Sequence, residues 1–383
     1  MPLSAALSRP ARVLVVFGTR PEAIKLCPLI RRLRERPESF QVRICVTAQH
    51  RSMLDQVLQA FQVQPDYDLD VMRPDQTLPQ LTSRAMAALE PVLNLEKPDT
   101  VIVQGDTTTT FCAALAGFYA GIRIAHVEAG LRTGDKYQPY PEEINRLLTS
   151  RLSDLHFAAT RQAAANLRAE GIPAASIFVT GNTVIDAVLE IRRGLESGRL
   201  LRPDWPFLAR GRRLILVTAH RRESFGEGLE RICEALVKLS ERPDIDVVYP
   251  VHCNPRVQGP VHSRLSSRPR IHLIEPLEYV PFVDLMARSY LILTDSGGVQ
   301  EEAPSLGKPV LVMREKTERP EAVRAGTVRL VGTNVETIVT ETNALLDDAG
   351  RYRRMARRHN PYGDGHACER IAEILAGKAL SPR

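Results

Sequence analysis

Two carboxylates carry the first chemical signal. Asp106 closes an apolar run in VIVQGDTTTT, and Glu128 closes another in IRIAHVEAG, with Arg132 and Asp135 close behind. A buried strand that ends in an acid delivers it to the carboxyl edge of a sheet, where open α/β folds bind their ligands. Neighbouring strands would bring both acids to one rim, and two carboxylates driven to different pKa values suit proton transfer. A third acid, Glu142, opens a predicted helix in PYPEEINR. Two of the three have a plainer reading: Asp106 or a following threonine caps a helix, and Glu142 is favoured by the helix dipole alone.

Cations and glycines stand at other strand ends. In FGTRPEAIK, Gly18 permits a tight turn and Pro21 suits the first helical turn. Arg20 then lies at a helix N-terminus, an anion site to which it adds a forked donor. Lys25 follows on the same side, and a solvent-facing Arg20 is the alternative. In TAHRRESFGEG a strand ends in His220, with Arg221 and Arg222 beside it; such a histidine is either structural or part of a site. In TDSGGVQEEAPSLG, Ser296, Gly297 and Gly298 precede a short helix predicted over Val299–Leu306. Paired glycines let backbone N–H groups approach a diphosphate at the positive helix end. Glu302 is then placed to accept hydrogen bonds from ribose hydroxyls, and Arg319 in TERPEA brings a further charge to the diphosphate. A left-handed turn closing on a helix cap is the alternative. Neither GxGxxG nor GxxxxGK[ST] occurs, so NAD and ATP sites of those classes are unsupported.

Elements of two kinds must position these residues. Strands are predicted at Arg12–Phe17, Gln41–Val46, Thr100–Val103, Ile122–His126 and Leu155–Ala158, and again, after Gly181, at Leu214–Thr218, Val247–Pro250, Ile271–Ile274, Leu291–Thr294, Val310–Met313 and Val328–Val331. Helical patterns intervene, among them Pro21–Glu35, Met53–Phe61, Thr109–Tyr119, Gly228–Leu239 and Val335–Leu346. Near-continuous apolar strands alternating with helices predict parallel sheets covered on both faces. The rhythm restarts once, so two doubly wound, Rossmann-like lobes are expected, an N-terminal one over residues 1–181 and a C-terminal one over 182–365. The Arg-, Gly- and Pro-rich stretch Gly194–Arg213 reads as their connection.

Composition narrows the partners. A chain of 383 residues has room for two cores. A net charge of +6, scattered along the chain, suits an anionic small ligand at least as well as nucleic acid. The densest basic stretch, Arg351 to Asn360, reads as a solvated helix face. The six cysteines form no CxxC pair and read as small buried hydrophobes, with neither disulfide nor metal expected. Before the apolar run Val13–Phe17 there is no basic leader, and that run is far too short to span a bilayer, so a cytoplasmic protein without a membrane partner is expected.

Taken in order, FGTRPEAIK, TAQHRSMLDQV, GDTTTT, HVEAGLRTGD, PYPEEINR, TGNTVIDA, TAHRRESFG, YPVHCNP, LTDSGGVQEEAPSLGKPVLV, TERPEA and NPYGDG resemble the motifs of the non-hydrolysing UDP-N-acetylglucosamine 2-epimerases, from Val13 to about Ile374. The resemblance implies two lobes arranged like those of GT-B glycosyltransferases, with the active site in the cleft between them and UDP held by the second lobe. It also implies a homodimer, and a C-terminal helix at about 366–383 that returns to the first lobe. It places Asp106, Glu128, Glu142 and His220 among catalytic residues. Arg20, Ser296, Gly297, Gly298, Glu302 and Arg319 match nucleotide-binding positions, and Lys25 matches a residue near the substrate. Bacterial members also hold a second, activating UDP-N-acetylglucosamine. Gln49, Glu142, Arg221 and His252 match that neighbourhood, whereas Ser52 and Asp75 depart from it.

The implied reaction explains why acids and cations are both needed. The C2 hydrogen of the sugar has no adjoining carbonyl and is not acidic. With no dinucleotide fingerprint, no cofactor is expected, and elimination remains: UDP leaves C1 as a base removes the C2 proton. The resulting 2-acetamidoglycal takes UDP back while a proton reaches the opposite face. Such an enzyme would supply N-acetylmannosamine units for cell-surface polysaccharide. A hydrolysing enzyme, a GT-B glycosyltransferase and a non-catalytic nucleotide-sugar sensor are the rivals.

Overall fold

The computed structural model describes residues 9–47, 51–208, 211–357 and 359–377. They fall into two compact units, Met1–Ala187 with Tyr362–Arg383, and Val188–Pro361.

The first unit is built on a parallel sheet of β1 (Ala11–Phe17), β2 (Phe40–Val46), β3 (Tyr67–Asp68), β4 (Thr100–Gln104), β5 (Arg123–Ala129), β6 (Leu155–Ala158) and β7 (Ile177–Val179), in the order β3-β2-β1-β4-β5-β6-β7. The second carries β8 (Arg213–Thr218), β9 (Ile245–Pro250), β10 (Ile271–Ile274), β11 (Leu291–Thr294), β12 (Val310–Val312) and β13 (Val328–Leu330), in the order β10-β9-β8-β11-β12-β13. Both sheets are Rossmann-like and wound outward from a central strand, as the alternating pattern predicts. Strand order therefore reverses between β1 and β4 in one unit and between β8 and β11 in the other, the places where ligands bind in such sheets.

The central strands are buried throughout: Val13 to Phe17, Val101 to Val103, Leu214 to Val217 and Leu291 to Leu293. Their β-branched and leucine side chains leave no polar face for water, which is why they read as continuous apolar runs rather than alternating ones. Sequence pattern missed β3 and β7. Both are edge strands of two or three residues, too short for a period to register.

The division between units falls inside the helix Thr183–Glu196, between Ala187 and Val188. The stretch Gly194–Arg213 is therefore not the connection; it belongs to the second unit, where the Trp205 indole donates to Asp284 at 2.7 Å. The helix Ala367–Leu375 belongs to the first unit, its opening amides of Ala367 and Cys368 donating to the Asp186 carboxylate at 3.1 and 3.0 Å. Five cysteines are buried, as expected, but Cys253 is exposed because it lies on the loop beyond β9 rather than in an apolar run.

Candidate active site

In the first unit the site begins at Gly18, where β1 ends. A methyl group there would stand 2.1 Å from Thr47 Oγ1 and 2.7 Å from Thr109 Oγ1, so close approach of the ends of β1 and β2 to the first turn of the helix Thr108–Tyr119 demands glycine. Thr19 then caps the helix Arg20–Arg34 in a capping box with Glu22. The Glu22 carboxylate is buried and fully used. It accepts the Gly18 and Thr19 amides at 3.0 and 2.7 Å and the Thr107 and Thr110 hydroxyls at 2.7 and 3.0 Å. Burial raises its pKa, against the hydrogen bonds from Thr107, Thr19 and Gly18. Arg20 is half-buried at the first helical position and has no hydrogen-bond or ion-pair partner among the described residues.

Thr107, not Asp106, caps the next helix, Thr108–Tyr119, by accepting from the Thr110 amide at 3.1 Å. The cap reading is thus met by the threonine, and Asp106 is left for other work. Its carboxylate takes a 2.6 Å hydrogen bond from Arg146, itself almost wholly buried. Although 27% of the Asp106 side chain is accessible, its carboxylate is surrounded by protein. Burial raises its pKa and Glu128 adds to the rise; Arg146 and Lys25 oppose it.

Glu128 has φ +63°, the left-handed region, beside an irregularity in the pairing of β5 with β6. For a side chain of this kind such backbone costs about 1–2 kcal/mol and persists only when surroundings over-determine it. Here they do: Lys25 Nζ lies 2.5 Å from Oε2, Gln104 donates to the same oxygen, and Asn182 donates to Oε1 at 3.0 Å. The predicted strand Ile122–His126 stopped short because this bulge carries β5 on to Ala129.

Glu142 opens the helix Glu142–Leu152, half-buried and without a hydrogen-bond or ion-pair partner among the described residues. Its neighbour Glu143 does the anchoring. Buried, it accepts from the amides of Thr133 and Gly134 at 3.1 Å each and lies 3.2 Å from Arg146 Nη1. Arg146 was missed in the sequence because it reads as an ordinary member of an amphipathic helix, and Glu143 was legible only as a second acid at the helix start. Glu22 had a legible signal, the T-x-x-E capping box.

The second unit offers cations. β8 leads to His220 and Arg221, whose amides both donate to Asp295 Oδ2 at 2.7 Å. The His220 ring stacks on that of His252, with centroids 5.3 Å apart and planes 11° apart. Burial lowers the His220 pKa; Arg221 and His252 push the same way and Asp295 opposes. Beyond β11, Ser296 occupies the N-cap position without a side-chain cap bond. Gly297 and Gly298 are the first two residues of the helix Gly297–Glu302, and neither has a positive φ, so the left-handed-turn alternative does not hold. The helix begins two residues earlier than predicted, and Ala303–Leu306 is 3-10, Pro304 lacking the N–H an α-ladder needs.

What the glycines provide is room. A methyl group on Gly297 would stand 3.7 Å from Arg221 Nη2 and 4.0 Å from Arg319 Nη2, so two guanidinium groups converge there. Arg319 is held by buried Glu301. Glu302, buried in the same helix, accepts from the Tyr279 hydroxyl at 3.1 Å. Of the residues tied to a second ligand, Arg221 and His252 stand beside His220, Asp75 is exposed with φ +53°, and Gln49 and the Ser52 side chain lie outside the described residues. Among the described residues no cluster of three or more His, Cys, Asp or Glu could hold a metal ion.

The family model for UDP-N-acetylglucosamine 2-epimerase matches residues 31–376. The UDP-N-acetylglucosamine 2-epimerase of Yersinia pestis is 57% identical over 369 residues, 95% of this chain and 98% of its own length. The crystal structure of the Neisseria meningitidis UDP-GlcNAc 2-epimerase bound to UDP-GlcNAc superposes with a TM-score of 0.87 at 50% identity, covering 95% of this chain and 99% of its own. The glycosyltransferase SnogD of Streptomyces nogalater, 15% identical over 96% of this chain and all of its own, shares the fold with a TM-score of 0.59. With Asp106, Glu128, His220 and the Gly297 junction set on such a scaffold, the chain belongs to the UDP-N-acetylglucosamine 2-epimerase family.

Proposed function

We propose that the protein interconverts UDP-N-acetylglucosamine and UDP-N-acetylmannosamine by inverting C2 of the sugar, without net hydrolysis. The observation that carries this reading is the coupled pair of carboxylates at the ends of β4 and β5. Asp106 is raised by burial and by its neighbour Glu128, while Glu128 is held against Lys25. Two acids so differentiated can divide proton removal and proton return between them. The choice of substrate is supported by the relatives that bear the epimerase name.

In this reading UDP leaves C1 with both electrons of the C1–O bond as the C2 proton passes to a base. The glycal then takes UDP back and receives a proton on the other face. Asp106, Glu128 and Glu142 supply base, acid and stabilisation of positive charge at C1 and the ring oxygen. Arg20, Arg319 and the Ser296–Gly297–Gly298 junction stabilise the leaving diphosphate, Glu302 takes the ribose hydroxyls, and His220 donates to phosphate or moves a proton. No cofactor is required by this scheme.

A homodimer is part of the proposal. Its support is an apolar surface on two helices packed together, where Phe118, Tyr119, Ile144 and Leu148 are exposed. A solution mass near that of one 42.7 kDa chain would remove it. Cytoplasmic location and supply of N-acetylmannosamine for surface polysaccharide are also proposed; among the described residues no helix is long and apolar enough to cross a membrane.

Chromatography of the purified protein with UDP-N-acetylglucosamine tests the activity. UDP-N-acetylmannosamine is expected to appear until a fixed ratio is reached, with no matching release of UDP. Free UDP with free N-acetylmannosamine would identify a hydrolysing enzyme instead. Tight binding without turnover would identify a sensor.

A further inference from the structure

The geometry points to Asp295 as the positioning residue of His220: its buried carboxylate fixes which ring nitrogen carries the proton and so which one faces the ligand. This rests on the proposed function, in which His220 acts on the substrate.

Asp295 follows β11 and is wholly buried. One oxygen, Oδ2, accepts the amides of both His220 and Arg221, tying the end of β8 to the end of β11. A purely structural tie needs nothing more. Yet Oδ1 is also buried and has no hydrogen-bond partner among the described residues. A buried carboxylate oxygen is costly to leave without a donor, so an orphan of this kind calls for an explanation. The His220 ring supplies one, with Nδ1 3.5 Å from Oδ1. That is ion-pair distance, longer than a hydrogen bond, and catalytic hydrogen bonds are often long without substrate and tighten when it binds.

The ring is held on its flat side as well. It stacks on His252, whose own Nδ1 accepts the Asn254 amide at 3.1 Å. Three ionisable groups face the imidazole: Asp295 beyond β11, His252 beyond β9, and Arg221 next in the chain. Burial, Arg221 and His252 all favour the neutral ring, and Asp295 alone favours the charged one. With Nδ1–H directed at Asp295, the neutral ring offers a bare Nε2. That nitrogen can take a proton, and the imidazolium so formed is stabilised by the carboxylate behind it. When Nε2 returns the proton, Nδ1–H stays in place. An Asp behind a His acts in this way in hydrolase triads, where exchanging the carboxylate for an amide selects the wrong tautomer.

Asp295→Asn separates this role from the structural tie. The amide oxygen can still accept both backbone N–H groups, while the NH₂ group now faces Nδ1 and drives the ring proton to Nε2. In the full-length protein the variant is expected to melt close to wild type and bind UDP within about twofold, with kcat reduced by about 100-fold or more. Added to His220→Asn, it should cost nothing further, because it acts through the ring. Losses that multiply in the double variant would overturn the proposal. Nitrogen-15 NMR of the wild-type imidazoles supplies a readout independent of turnover and of the variant's folding: His220 protonated at Nδ1 is expected, and an Nε2–H tautomer would overturn the pairing. Wild-type turnover in His220→Asn would instead remove His220 from the proposed reaction, and with it any catalytic role for Asp295, while the spectrum would still decide the pairing.

Discussion

At both switch points two consecutive amides beyond the central strand point at a single carboxylate oxygen, but the carboxylate comes from different places. In the first unit Gly18 and Thr19 donate to Glu22, which lies on the helix following the same strand. Its second oxygen is taken by two threonine hydroxyls from beyond β4. In the second unit His220 and Arg221 donate to Asp295, which follows the neighbouring strand β11, and its second oxygen remains for the His220 ring. One topology thus yields a closed structural knot in one unit and a carboxylate with valency to spare in the other. The groups around them diverge likewise. Asp106, Glu128 and Glu143 crowd the first unit with Lys25 and Arg146 drawn in as partners, whereas Arg221 and Arg319 converge on Gly297 in the second. Proton transfer is expected from the first set and anion binding from the second.

Variants that fail to divide along this line would break the comparison. The largest effect is expected from Asp106→Asn or Glu128→Gln, each lowering turnover about 10²- to 10⁴-fold, the range of general acid–base catalysis, while calorimetry shows UDP affinity nearly unchanged. Arg319→Ala should do the reverse, weakening UDP about 10- to 100-fold by loss of charge-assisted bonds. It is best combined with Glu301→Gln so that no buried charge stands alone. Next come the two glycines. Gly18→Ala forces a methyl group against two threonine hydroxyls and should cost about 1–3 kcal/mol in denaturant unfolding. Gly297→Ala meets only ordinary contacts, so stability should hold while UDP binding weakens; equal melting of the two variants would erase the distinction.

The smallest effect concerns pH. Burial raises the Asp106 carboxyl above its ordinary 3.8. Its contribution to stability is therefore full below the unfolded value and is lost as pH rises through the folded one. At neutral pH Asp106→Asn should melt at the wild-type temperature or slightly above it, despite its lost activity. A clear drop would mean that the Arg146 pair outweighs burial.

How much could be read beforehand follows from the same physics. Asp106, Glu128, His220 and the Gly297 junction were legible because each ends or follows a continuous apolar run, and each parallel sheet sends such ends to its own carboxyl rim. Both sheets were legible for the same reason. The supporting residues were not. Arg146 looks like any polar position of an amphipathic helix and Glu143 like a second acid at a helix start, and only tertiary packing buries them. Gln104 and Asn182, which hold Glu128, become donors to it only once β5 bulges. Asp295 stood in plain view after β11, but a carboxylate between a strand and a glycine pair does not reveal that two amides from another strand will reach it.

The central claim is that the C2–H bond breaks and re-forms while the sugar nucleotide is retained. Proton NMR of the purified protein with UDP-N-acetylglucosamine in D₂O, with no added cofactor, tests it most directly. The account predicts UDP-N-acetylmannosamine carrying deuterium at C2, with deuterium entering recovered UDP-N-acetylglucosamine as equilibrium is approached. Epimerised product that keeps its C2 proton, or an unchanged spectrum from folded protein, would contradict it.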